Sequence, residues 1–246
     1  MNLIKAIYTV GDSFSFGQEL GGSDVEPKDF YTCTDYMRDN SYTGIIAKTW
    51  GVDTVINRSL PGGSNDRTFR MITTDLPTYF GDFKPEEIYV FISLTHASRR
   101  EFYDNDLDCW NALITNYGPD PKYSKKQSID FWKLYSAYFD NTKESTTRFL
   151  SQILSMQSFL KGLGIRYLMS DSMHHDEEFW NYYKTVHTNV VYMIDTDRYY
   201  RDEPFNSFVG RKGLPFGKYH HPLEEGHIAW AQHLMGYIYE KGNNPK

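Results

Sequence analysis

Ala6-Ile7-Tyr8-Thr9-Val10-Gly11-Asp12-Ser13-Phe14-Ser15-Phe16-Gly17 runs from a short apolar, β-branched segment straight into a serine held between glycines. The first five residues have the composition of a buried strand, and the glycines bound a tight turn. A serine on such a turn, at a strand's carboxyl end, presents its hydroxyl at the rim of a sheet. Backbone N–H groups beside it are then free to bind an anion. The spacing is neither GxSxG nor the Walker loop, and GxGxxG is absent, so the familiar glycine-rich alternatives lose ground.

Outward from this segment, residues 54–57, 88–94, 167–170 and 190–194 read as four more buried strands. Helical patterns separate them. Residues 43–50 form a short helix ended by Gly51, and 64–76 another, with Ser64 or Asn65 as N-cap and Pro77 as the stop. Residues 144–161 place Phe149, Ile153, Met156 and Leu160 at helical spacing. A last helix starts near Glu224 and runs through Ala231, Leu234 and Ile238. Alternation of this kind requires right-handed crossovers, so the expected fold is α/β, a flavodoxin-like or Rossmann-like three-layer α/β/α sandwich. Of these, a flavodoxin-like five-stranded parallel sheet of order 2-1-3-4-5 is the expectation. Residues 18–41 and 99–140 do not fit the alternation and read as insertions into a single domain spanning 1–246.

The composition, 40% hydrophobic and 24% charged over 246 residues, suits a globular chain with a sizeable core. A net charge of -6 with scattered basic residues lacks the footprint of a nucleic-acid partner. Cys33 and Cys109 form no CxxC and read as free thiols. The N-terminal run carries Lys5 and no small-residue cleavage site, and no apolar stretch is long enough for a bilayer. The expectation is a product that starts in the cytoplasm and has no membrane partner.

Two more stretches complete a pattern. Asn57-Arg58-Ser59-Leu60-Pro61-Gly62-Gly63-Ser64-Asn65 follows the second strand, and His221-Pro222-Leu223-Glu224-Glu225-Gly226-His227 precedes the last helix. With Gly11-Asp12-Ser13 before them, and in this order, they resemble the motifs of the SGNH (GDSL-type) hydrolases. The resemblance implies that fold and an esterase acting through an acyl-enzyme, without a cofactor. It makes Ser13 the nucleophile and His221 the general base. The oxyanion hole would use the N–H groups of Ser13 and Gly62, with Gly63 as the fallback. An imidazole suits the base because its ordinary pKa lies near neutrality. The run Thr95-His96-Ala97-Ser98-Arg99-Arg100-Glu101-Phe102 is similar to a divergent SGNH branch found in bacteriophage genomes, which would associate the product with a virion.

The chain departs from the family pattern twice. Where the family has Gly-x-Asn-Asp, this sequence has Ser93-Leu94-Thr95-His96, leaving Thr95 or His96 as the third oxyanion donor. Where the family has an aspartate, three residues before the histidine, stands Lys218. Asp195, Asp197 or a backbone carbonyl then orients the base, or a Ser–His dyad works without an acid, or catalysis is lost. A second register would make His227 the base with Glu224 before it. Asp12, Asn65 and Arg99 are the candidate substrate contacts, with an ion pair to neighbouring acids as the competing reading for Arg99.

His174-His175-Asp176-Glu177-Glu178 reads as the acidic start of a solvated helix, and no metal site is expected. Tyr36, Tyr103, Trp110, Trp132 and Tyr135, with Phe30 and Tyr31, suit sugar rings as well as packing. By analogy with SGNH family members that deacetylate polysaccharides, the resemblance implies a small-molecule or carbohydrate ester, such as an acetylated glycan, as the substrate class. The competing readings are a non-catalytic glycan- or protein-binding module on the same fold and a metal-dependent hydrolase.

Overall fold

The computed structural model describes residues 3–22, 32–105, 108–114, 126–175, 177–186 and 188–245. β1 (Ala6–Val10) ends at Gly11, and Asp12 caps the one-turn α1 (Ser13–Phe16). α2 (Asp35–Asn40) and α3 (Tyr42–Trp50) are each capped by a hydroxyl, from Thr34 and Ser41, before β2 (Thr54–Asn57). The Ser64 hydroxyl caps α4 (Asn65–Arg70). The helical path continues past Pro77, through a wider turn at Met71–Asp75 and a tighter one at Leu76–Gly81. Proline in the first turn of a helix forfeits no hydrogen bond, so it does not act as a stop there.

After β3 (Ile88–Leu94) comes an antiparallel ribbon, β4 (Arg100–Asp104) with β5 (Cys109–Leu113), and then α5 (Lys126–Tyr138). These occupy the second predicted insertion; of the first, residues 23–31 lie outside the described residues. α6 (Thr142–Gly162) starts on an Asn141 cap and delivers the chain to β6 (Arg166–Asp171). α7 (Glu177–Val186), α8 (Thr188–Val191), β7 (Tyr199–Tyr200), α9 (Phe205–Arg211) and α10 (Glu224–Glu240) complete the chain. No helix among the described residues is long and apolar enough to cross a membrane.

The sheet is fully parallel, in the order β2-β1-β3-β6-β7. Its central strands are buried on both faces, and successive side chains go to opposite sides. Ala6, Tyr8 and Val10 pack with Val90, Ile92 and Met169 under Phe149, Ile153, Met156 and Leu160 of α6. Ile7, Tyr89, Phe91 and Leu168 face the other way, against Ile46 and Trp50 of α3, Phe205 and Phe208 of α9, and Trp230 and Leu234 of α10. The result is the expected α/β/α sandwich.

The fifth strand differs from its predicted position. Residues 190–194 end a short helix, leaving Tyr192 82% exposed, whereas Tyr199 and Tyr200 are buried and pair with Met169 and Ser170. A short apolar run does not by itself distinguish a strand from a helix end. The shift has a consequence at the site, because it changes which end of the sheet Asp195 occupies.

Candidate active site

The carboxyl ends of parallel strands lie along one edge, so the segments that follow β1, β2, β3 and β6 converge there. At its centre is Asp12, with no exposed surface. Its Oδ1 accepts the Phe14 N–H at 3.1 Å, its Oδ2 accepts the Ser172 hydroxyl at 2.6 Å, and Arg99 lies 3.7 Å from Oδ2. Asp12 thus ties β1, β3 and β6 together, and has no face left for a substrate. This corrects its expected contact role.

The next residue, Ser13, stands at the start of α1 and is buried, with no partner for its hydroxyl or its N–H among the described residues. Beside it runs the chain after β2. Leu60 donates its N–H to the Gly11 carbonyl at 3.1 Å, and Gly63 closes a turn by donating to the Leu60 carbonyl at 2.8 Å. Pro61 and Gly62 are the central residues of that turn, and Gly62 takes the left-handed φ of 72° that favours glycine. A Cβ at Gly63 would meet the Gly11 carbonyl at 2.8 Å, so a side chain there would push the turn away from Ser13. With the Gly63 N–H committed, Gly62 is the better of the two candidate donors.

The remaining candidates separate clearly. The Asn65 amide donates to the Thr95 carbonyl at 2.8 Å and accepts the Thr95 N–H at 2.9 Å. Asn65 is therefore a clamp on the segment after β3 and not a substrate contact. Thr95 keeps only its hydroxyl, directed at Met173 Sδ 3.7 Å away, and His96 Nδ1 is bonded to Ser98 Oγ at 2.7 Å. The Thr95 N–H and the His96 Nδ1 are thus committed within this segment. Arg99 is in place, close to the Gly63 carbonyl at 3.4 Å as well as to Asp12. The acid it pairs with is Asp12, since Glu101 is held by Arg70. Arg148 secures this segment from below, donating to the Ala97 carbonyl at 2.7 Å and to Asp66 at 2.9 Å.

His221 sits on a tight loop closed by the pairing of Phe216 with Pro222, its ring 5.4 Å from that of Phe14, the neighbour of Ser13. Its Nδ1 lies 3.0 Å from Glu19 Oε2. The Glu19 carboxylate also accepts the N–H of Tyr219 at 2.9 Å and of His221 at 3.1 Å. A Cβ on Gly217 would fall 2.5 Å from that carboxylate, so the loop closes around Glu19 only because residue 217 is glycine. Glu19 itself is 3% exposed and has a φ of 71°, a region that costs a non-glycine residue roughly 1–2 kcal/mol. Burial drives the His221 pKa below the ordinary imidazole value, although Glu19 and Asp12 pull it upward. The ring is then neutral at neutral pH, with Nε2 as the nitrogen left for chemistry. No hydrogen bond joins Ser13 Oγ to the imidazole among the described residues; in ligand-free sites such bonds are commonly longer than in the reacting complex.

Asp195 and Asp197 do not reach this corner. Both precede β7 and therefore lie at the amino end of the sheet, where Asp195 pairs with Lys161 at 2.8 Å and Asp197 with Lys241 at 3.1 Å. A strand over 190–194 would have delivered Asp195 to the opposite edge. His227 is fully buried in α10, its Nδ1 accepting the Tyr42 N–H at 3.1 Å, so the second register is also removed. Of the two adjacent histidines, His174 is exposed and His175 buried between Phe149 and Phe179. Among the described residues no group of three or more ligating side chains gathers around one point. Glu19 is the residue that sequence reading missed. Its only signal was a lone carboxylate in the glycine-rich segment behind Ser13.

Residues 25–246 match the Family of unknown function (DUF6071). The chain belongs to that family. No curated protein matches it. Among solved structures, a family two carbohydrate esterase from Clostridium thermocellum in complex with cellohexaose is similar at 16% identity and a TM-score of 0.51. The match covers 98% of this chain and 65% of that one. A family two carbohydrate esterase from Cellvibrio japonicus matches at 13% identity and a TM-score of 0.50, over 96% of this chain and 61% of that one. This DUF6071 chain thus spans under two thirds of the length of both. TesA matches at 13% identity and a TM-score of 0.50, over 96% and 99% of the two chains. The DUF6071 chain has the SGNH hydrolase fold, and its structural neighbours include esterases.

Proposed function

We propose that this protein is a serine esterase in which Ser13 is the nucleophile and His221 the general base. The single observation that supports it most is that one sheet edge carries a serine hydroxyl and a Gly62 N–H that have no partner among the described residues, together with a partly buried, neutral imidazole. In the first half-reaction Ser13 Oγ attacks the acyl carbon and its proton passes to His221 Nε2. The imidazolium then protonates the departing alkoxide, leaving an acyl-serine. Water, deprotonated by the same nitrogen, attacks that ester and releases the acid and Ser13. The Ser13 and Gly62 N–H groups hold the carbonyl oxygen as it becomes negative, and the Arg99 guanidinium adds positive charge beside them.

An ester of a carbohydrate is the substrate class we favour. Tyr103 and Trp110 on the β4–β5 ribbon are both about half exposed and set edge to face at 5.4 Å, and Arg70 backs the Trp110 ring at 4.6 Å. Exposed, braced rings of this kind suit stacking on a sugar. Two neighbours described as carbohydrate esterases agree with that class. The test is hydrolysis of a short-chain aryl ester beside an acetylated oligosaccharide. Turnover by the native chain, lost in both Ser13→Ala and His221→Ala, is expected; turnover that is unchanged in Ser13→Ala overturns the reading. A non-catalytic module draws support from the missing asparagine donor, and turnover dependent on His221 would reject it.

A further inference from the structure

We infer that Glu19 is the acid of this centre, a positioning residue that holds the His221 imidazole through Nδ1 and is supplied from the nucleophile's loop instead of the histidine's. This deepens the esterase reading and rests on it. The position three residues before His221 is Lys218, and no other carboxylate is bonded to the ring among the described residues. Glu19 Oε2 lies 3.0 Å from Nδ1, with a geometry over-determined by the Tyr219 and His221 N–H groups and by the Gly217 notch. Its left-handed backbone is a local cost kept at the point where the carboxylate meets the ring.

In the resting state Nδ1–H donates to Glu19, which leaves the Nε2 lone pair for the Ser13 proton. When Nε2 gains that proton the carboxylate stays ionised and stabilises the imidazolium. The charged and titratable groups facing His221 are Glu19 from the loop behind α1, Asp12 before α1, Arg99 after β3 and His227 from α10.

The same bonds would also serve a plain loop clamp, and the two roles differ in sign. The experiment is 15N NMR of the histidine rings in the native chain, Glu19→Gln and Glu19→Asp across about pH 4–9, alongside pH–rate profiles. For the native chain the result expected is a neutral His221 protonated at Nδ1. In Glu19→Gln the tautomer shifts toward Nε2–H and the acid-limb pKa falls further. At the same time kcat drops by ~10²–10⁴-fold with KM little changed, and Glu19→Asp recovers part of the loss. An Nε2–H tautomer in the native chain overturns the proposal. So does a pKa that rises toward the ordinary value in Glu19→Gln, because that is what an opened loop exposing the ring would give. The tautomer is read without substrate, so a native chain that hydrolyses no ester defeats the esterase reading while the spectra still decide the role of Glu19. Should Glu19→Gln fail to fold, the native and Glu19→Asp spectra carry the decision.

Discussion

The two ends of the central sheet treat carboxylates in opposite ways. At the amino end, Glu87, Asp195 and Asp197 pair with Lys5, Lys161 and Lys241, long side chains that remain partly in water. At the carboxyl end, Asp12 and Glu19 are buried and meet backbone N–H groups, a hydroxyl, a guanidinium and an imidazole. Exposed pairs are screened and contribute little to stability. Buried carboxylates held by fixed donors keep their position and act on neighbours through a low-dielectric medium. The lesson is that the amino end is interchangeable surface, whereas the carboxyl end is a preorganised polar corner whose parts depend on one another.

The strongest way to break that contrast is at the corner itself. Ser13→Ala and His221→Ala should each reduce kcat/KM for an ester by at least ~10³-fold with little change in thermal unfolding. Asp12→Ala should cost about 3 kcal/mol, since it strands the Arg99 charge, the Ser172 hydroxyl and the Phe14 N–H together. Calorimetry would show this as a fall in Tm of roughly 6–12 °C.

Titration sharpens the comparison. Burial pushes the His175 pKa down to about 3, with His96 and His174 adding to the effect, and neither ring nitrogen has a hydrogen-bond partner among the described residues. A histidine depressed in the folded state contributes stability above its unfolded pKa of about 6.5, and that stability is lost as pH falls toward the folded value. His175→Phe should therefore flatten the decline of Tm between about pH 6.5 and 4 while changing little at pH 8. Asp171 should act in reverse: burial raises it to about 7 despite the Tyr199 hydroxyl bonded to it at 2.7 Å. Its protonation favours the folded state, so this contribution shrinks as pH rises from about 4 to 7, and Asp171→Asn should remove that slope. The smallest effect is expected at the amino end. Asp197→Ala should shift stability by under about 1 kcal/mol and leave ester turnover unchanged; a loss of turnover there would erase the distinction between the two ends.

Much of the carboxyl end could be read from sequence because its signals are local. The strand–Gly–Asp–Ser junction, the Pro61-Gly62-Gly63 turn and the His221-Pro222 lead into α10 each announce a backbone shape within a few residues. The layered α/β architecture followed from the alternation of elements, which does not by itself distinguish one parallel strand order from another. What remained hidden is long-range. Glu19 meets His221 across 202 residues through a loop whose closure depends on a missing Cβ at Gly217, and no spacing rule encodes that. Asp195 was misread for a related reason: an apolar run ended a helix where a strand was expected, and the aspartate moved to the far edge of the sheet. Asn65 and Asp12 showed the right neighbourhood but the wrong task, since the partners that satisfy their polar atoms, Thr95 and Ser172, are distant in the sequence.

The most direct test of the central claim is covalent. The native chain is treated with a fluorophosphonate and the modified residue located by peptide mass spectrometry. The account predicts a single adduct on Ser13, formed at a rate that falls sharply in His221→Ala and in Glu19→Gln. An adduct on another residue, or labelling of Ser13 that proceeds equally fast without His221, would contradict it.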